Sequence, residues 1–300
     1  MGKPPSGYFL DPQSGFPYFT IKAMSTLSAF NSFTANLPQQ EKQMPVLFIG
    51  HGSPMNGIQD NEFTSRWRKM AQDIPTPKAV IVVSAHWLTR GTRITAMEFP
   101  KTIHDFGGFP QELFEVQYPA PGSLKIAKQS IELVKSVSIG EDHDWGLDHG
   151  TWTVIKHMYP EADIPVLQLS IDQNKNGSYH FELAKELSAL RKKGVLIIGS
   201  GNMVHNLRMI AWDKLEVPGY GYDWALEMNE RFKKHISEGD FNPLVNFETL
   251  GPEAKLAIPT PEHYIPLLYI LGLKKYNEPV SFFNDKAVAG SLTMTSVKIG

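Results

Sequence analysis

The chain contains no cysteine. Disulfides, thiolate nucleophiles and cysteine-based zinc or cluster sites are therefore excluded, although the redox compartment stays open. Charge of one sign is also lacking. The 29 Lys and Arg are balanced by 31 Asp and Glu, for a net charge of −2, which marks neither a nucleic-acid partner nor an anionic membrane surface. No apolar run approaches the roughly 18 residues that span a bilayer. The first residues lack the basic end and apolar stretch of a signal peptide. HExxH, the P-loop and a strand-linked GxGxxG are missing as well. These absences predict a soluble, cytoplasmic protein whose metal chemistry falls to His, Asp and Glu.

What is present is an ordinary globular composition, 300 residues with 42% hydrophobic and 20% charged, enough for a sizeable core. Residues 1–43 are rich in Pro, Gly and aromatics without periodicity, then polar and loosely helical. They are expected to be an N-terminal extension outside the chemistry, flexible or a remnant of expression, with Met24 and Met44 as candidate starts. From 44 to 300 strands alternate with helices. The apolar run MPVLFIG, AVIVVSA (79–85), RITAM (93–97), PVLQLSI (165–171) and VLIIGSG (195–201) read as strands, and SLTMTSVKIG closes the chain with strand-like alternation. Helices are expected over 61–73, 123–136, 151–158, 179–193, 222–237 and 261–271. The pattern predicts one α/β domain of three layers, α/β/α, around a mostly buried sheet.

In such sheets ligands bind beyond the carboxyl ends of the strands. Three apolar strands run into a histidine: VLFIG into His51, VIVVSA into His86, and VLIIGSGNMV into His205. A fourth, His263 in TPEHY, is placed in the first turn of a helix behind Pro261. Neutral imidazoles suit Zn²⁺, Fe²⁺, Ni²⁺ and Cu²⁺. Ligands from separate strand ends leave coordination positions open, as a catalytic metal needs. Against this, a single histidine at a strand end is more often a hydrogen-bonded structural residue than a ligand. His149 is a loop histidine near apolar walls, and His104 lies in a Gly- and Phe-rich loop that suits a lid or substrate wall. His143, His157, His180 and His235 are read as surface residues.

The motifs HGSPM, VVSAHW, TIHDFGGFP, YPAPGS, DHGTW, QLSID, SGNMVHNL, IPTPEHYIPLLY and the terminal GSLTMTSVKIG follow one another along residues 44–300. Each is weak alone. As an ordered set they resemble the LigB-type extradiol ring-cleavage dioxygenases, in particular the 4,5-DOPA extradiol dioxygenase-like branch. That resemblance implies a single catalytic domain with a non-haem divalent metal. Fe²⁺ serves activity, and Zn²⁺ is able to occupy the same site. It implies His51, His86 and His263 as metal ligands. His205 becomes an acid–base residue that approaches the metal as a fourth ligand, and His149 a second catalytic histidine near substrate and oxygen. The broader class uses two His and one Glu, so Glu262 competes with His263 for the third corner. The implied partners are a catechol-type small molecule and O₂, with both oxygen atoms inserted and the ring opened to a semialdehyde. The protein would act without nucleic acid or membrane, as a monomer or homodimer. A zinc hydrolase using the same histidines is the alternative. Ser53 and Asn206 are candidates to orient imidazoles or to cap loops, and Phe106, Phe109 and Tyr118 to form an aromatic wall or to pack the core.

Overall fold

A computed structural model describes residues 43–300. The expected extension falls outside the described residues except for Gln43. Eight strands form one sheet: β1 (Val46–Gly50), β2 (Ala79–Thr89), β3 (Arg93–Thr95), β4 (Gly140–Asp142), β5 (Val166–Asp172), β6 (Val195–Gly201), β7 (Val280–Phe283) and β8 (Ser296–Ile299). Their order across the sheet is β4-β3-β5-β2-β6-β1-β8-β7. The central four, β5-β2-β6-β1, are mutually parallel. The edges are mixed: β3 runs antiparallel to β5, and β8 antiparallel to both β1 and β7.

The central strands form because their residues are apolar and buried on both faces. Alternate side chains enter opposite cores. Val46, Phe48, Ile81, Val83 and Ile197 join one core with helices α2 (Leu124–Leu133), α4 (Gly177–Glu186), α5 (Asp223–Glu238) and α6 (Ile265–Gly272). Leu47, Ile49, Val80, Val82 and Ile198 join the other with α1 (Glu62–Asp73) and α3 (His149–Met158). The three-layer α/β/α arrangement expected from the alternation is therefore present. Each fully buried Val, Leu or Ile contributes about 1.5–3 kcal/mol relative to exposure. No helix among the described residues is long and apolar enough to cross a membrane.

Some elements depart from expectation. The helix expected over 179–193 is two, broken at Leu187 between Gly177–Glu186 and Ser188–Lys192. The helix expected from Pro261 starts only at Ile265. Pro266 has no N–H to offer the carbonyl of Glu262, and the carbonyl of His263 accepts from Asn202 N at 2.9 Å instead of continuing a helical ladder. His157 and His180 are buried, at 8% and 0% exposure, and are not surface residues. His157 Nε2 donates to the Asn56 carbonyl at 2.6 Å, with its ring packed near Trp67, and His180 Nδ1 lies 3.0 Å from Tyr269 Oη. His143 does lie on the surface, and the half-buried His235 faces Asp240.

Candidate active site

The carboxyl ends of β1, β2 and β6 share one rim of the sheet because the strands are parallel and in register. His51 directly follows β1, and its N–H donates to the Gly201 carbonyl at 3.1 Å, extending the ladder by one residue. His86 lies inside β2, where pairing with β5 slips. Val83 stands opposite Leu169 and Leu88 opposite Ile171, so β2 carries extra residues between these pairs. Such bulges re-aim side chains near active sites, and here the bulge presents His86 at the rim. His263 arrives from the turn before α6. It comes close because residue 201 is glycine, where a Cβ would lie 2.1 Å from the His263 carbonyl oxygen.

His149 is the first residue of α3, not a loop residue. Asp148 caps that helix by accepting from Thr151 N at 3.1 Å. The same buried carboxylate receives Ser84 Oγ at 2.7 Å and Gln168 Nε2 at 2.6 Å, which ties the helix end to β2 and β5. Burial, then the neighbouring Asp105 charge, pushes the Asp148 carboxyl above its ordinary range, against the pull of its hydrogen bonds.

The five histidines expected at the site come together. His51 Nε2 and His86 Nε2 are 3.1 Å apart. His51, His86 and His149 each present a nitrogen within 4.8 Å of the others. The His263 ring centroid is 5.4 Å from that of His51 and 5.0 Å from that of His86. His205 stacks on His263 with centroids 3.6 Å apart and planes 7° from parallel.

Hydrogen bonds fix how these rings face. Ser200 Oγ donates to the Gly150 carbonyl at 2.5 Å, so it can only accept from His51 Nδ1 at 3.0 Å. The Nε2 of His51 therefore carries a lone pair toward the cluster. Asp105 Oδ2 accepts from His149 Nδ1 at 2.9 Å and lies 3.4 Å from His86 Nδ1, while Asp105 Oδ1 accepts from the His149 backbone N–H at 2.8 Å. Glu262 Oε1 lies 3.4 Å from His263 Nδ1 and accepts from Thr260 Oγ1 at 2.7 Å. The Glu262 carboxylate thus sits beside His263 Nδ1, leaving Nε2 of that ring uncommitted.

Burial keeps the imidazoles of His51, His86, His205 and His263 neutral. It is the main reason that His51 and His263 are held well below the ordinary histidine range, with neighbouring imidazoles adding to the effect. Burial, then the adjacent His149, pushes His86 down to about 3. Burial likewise pushes His205 down to about 4, although the charge of Glu262 opposes it. Burial would raise the Asp105 carboxyl, but hydrogen bonding and charge from His149, with help from His86, hold it below its ordinary value. Neutral buried imidazoles whose other nitrogens face carboxylates or a hydroxyl are the donor set a divalent metal takes. Two nitrogen ligands at about 2.1 Å and right angles stand about 3 Å apart, close to the His51–His86 separation. The residues fit the metal that the resemblance implies.

The remaining candidates divide. Phe106 meets His149 edge-on at 5.6 Å between centroids, with Phe109 at 5.4 Å behind it. Tyr118 belongs to the core, and its hydroxyl donates to the Tyr159 carbonyl at 2.7 Å. His104 is anchored through Nε2 to the Val116 carbonyl at 3.0 Å. Ser53 accepts from Met55 N and Asn206 from Arg208 N, so both cap turns. The partners that do orient imidazoles, Ser200, Asp105 and Glu262, were mostly missed in that role. The available signals were a serine between the strand-end glycines GSG and an aspartate following His104 in the Gly- and Phe-rich loop.

Fold and site together define an α/β protein with a histidine cluster able to hold a metal, on the carboxyl rim of the parallel centre of its sheet. A family model described as the catalytic LigB subunit of aromatic ring-opening dioxygenase matches residues 45–295, and the chain belongs to that family of ring-cleaving dioxygenases. It is 49% identical over 263 residues to a 4,5-DOPA dioxygenase extradiol of Escherichia coli K12, covering 86% of this chain and 95% of the relative. It is 34% identical over 268 residues to a 4,5-DOPA dioxygenase extradiol of Beta vulgaris, covering 84% and 95%. A crystal structure of an uncharacterised Escherichia coli K12 protein superposes with a TM-score of 0.74 at 44% identity, covering 86% of this chain and all of the other.

Proposed function

We propose that the protein is an extradiol dioxygenase that opens a catechol ring of the DOPA type with O₂, using Fe²⁺ held by His51, His86 and His263. The observation that carries this reading is the 3.1 Å approach of His51 Nε2 to His86 Nε2 within a cluster of five imidazoles, three of them buried. The Nδ1 atoms of this pair face Ser200 and Asp105, which leaves both Nε2 aimed at a common point. A bound Fe²⁺ would supply Lewis acidity and a redox path by which electrons of the catechol reach O₂, whereas Zn²⁺ on the same ligands would supply only the first. The substrate class is that of the relatives, 4,5-DOPA extradiol dioxygenases, and the reaction is placed in the cytoplasm.

The chain's own residues then handle protons and exclude water. His205 is neutral at physiological pH and able to accept the second phenolic proton. Its depressed basicity, about 4, would rise beside a catecholate anion, because a nearby negative charge favours imidazolium. His149, fixed through Nδ1 by Asp105, presents Nε2 as the second proton-handling group. Phe106 and Phe109 form an apolar wall beside it.

The proximity of His149 to His51 and His86 favours a second ligand set, with His149 as the third corner in place of His263. Metal analysis of two variants separates them. The proposal expects His263→Ala to lose bound metal, and His149→Ala to keep metal at one per chain while losing turnover. The reverse outcome would assign the third corner to His149.

A further inference from the structure

The placement of protons in the histidine cluster leads to a role for Asp105 that rests on the metal-binding reading above. His51 donates through Nδ1 to Ser200, so its Nε2 is a lone pair. His86 Nε2 faces that lone pair at 3.1 Å. A divalent cation needs both Nε2 lone pairs, because only the deprotonated nitrogen coordinates. The single proton of a neutral His86 then belongs on Nδ1, and the group facing Nδ1 is Asp105 Oδ2 at 3.4 Å.

The same carboxylate already accepts twice from His149, from Nδ1 at 2.9 Å and from the backbone N–H at 2.8 Å. A carboxylate has lone-pair capacity for all three donors and an amide oxygen does not. We propose that Asp105 is the positioning residue of this site: it holds His149 and His86 as Nδ1–H tautomers, which leaves the Nε2 of each ring free of a proton. One acidic side chain from the loop after His104 then sets the tautomers of two histidines on different elements.

The test uses the full chain labelled with ¹⁵N-histidine. Long-range ¹H–¹⁵N spectra report which ring nitrogen carries each proton, before and after saturation with Zn²⁺. The expected result is His149 protonated on Nδ1 throughout, and His86 protonated on Nδ1 when Zn²⁺ is bound. A His149 protonated on Nε2, or a Zn²⁺-saturated His86 protonated on Nε2, would overturn the proposal. Chelator competition gives a second readout: Asp105→Asn should weaken Zn²⁺ binding 10- to 100-fold, with Asp105→Glu recovering part of the loss. Wild-type affinity in a folded Asp105→Asn protein would also overturn it. Should that variant not fold, the spectra of the unmodified chain decide alone. None of these measurements depends on turnover, so failure of the dioxygenase reading shows separately as an iron-loaded wild-type chain without ring-opened product. A wild-type chain that takes up no Zn²⁺ would end the metal reading, and with it the role of Asp105 at His86.

Discussion

At Gly150 an added Cβ would lie 2.5 Å from Ser84 Oγ and 2.9 Å from His86 Cδ2. These distances are shorter than real Cβ contacts, so His86 or the start of α3 would have to move. A displacement of about 1 Å at a reacting centre costs on the order of 100-fold in rate. Gly150→Ala should therefore lower turnover by about that factor, with a stability loss of only about 1–3 kcal/mol from overpacking. Steady-state kinetics beside thermal unfolding checks both, and wild-type turnover would contradict the geometry. At this scale the sequence was most informative for histidines that end apolar runs. His51 and His86 are legible because a buried parallel strand has one chemical exit, its carboxyl end. Asp105 and Ser200 are not, because their importance depends on rings brought to them from other elements. His157 and His180 were misread because a polar residue within an amphipathic pattern gives no sign that a carbonyl or a tyrosine waits on the buried side.

Among the elements, α3 depends most on a single side chain. The Asp148 carboxylate accepts from Ser84, Gln168 and Thr151, all of them donors. Asparagine keeps one acceptor oxygen and sets an NH₂ against a donor. Asp148→Asn should cost about 1–3 kcal/mol, the penalty for buried polar groups left unmatched, and should loosen His149 at the helix start. Chemical denaturation measures the first effect; an unchanged midpoint would show that the network contributes nothing. The four central strands are legible from their apolar, uninterrupted runs, whereas β4 and β7 are short and only partly buried and carry no such run. The bulge in β2 is not legible, because the pairing slip between Val83 and Leu88 depends on β5 and leaves no local mark in AVIVVSAHWLT. The late start of α6 is half legible: Pro261 suits a first helical turn and Pro266 bars the bond to Glu262, but the Asn202 N–H that takes the His263 carbonyl leaves no mark in the local sequence.

For the whole molecule, the buried histidines set the response to acid. His51, His86, His205 and His263 are all depressed below the ordinary value of 6.5, and so are His157 and His180, each mainly by burial. The unfolded chain binds protons at these sites before the folded chain does. Their contribution to stability is present above pH 6.5 and is lost as pH falls toward the folded values, about 3 for His86 and about 4 for His180 and His205. The melting temperature of the metal-free protein should therefore begin to fall just below pH 6.5, before the carboxylates titrate. A flat profile from pH 7 to 5 would contradict the burial of neutral imidazoles. Bound metal should deepen the fall, because the same nitrogens must stay deprotonated to coordinate.

The central claim is that this rim of histidines performs ring cleavage with oxygen. Oxygen uptake by the iron-loaded protein given DOPA, followed together with the absorbance of the ring-opened semialdehyde, tests it most directly. The account predicts one O₂ consumed per DOPA opened, and none when Zn²⁺ replaces Fe²⁺. No product from DOPA or a panel of other catechols, with iron verified at one per chain, would contradict it.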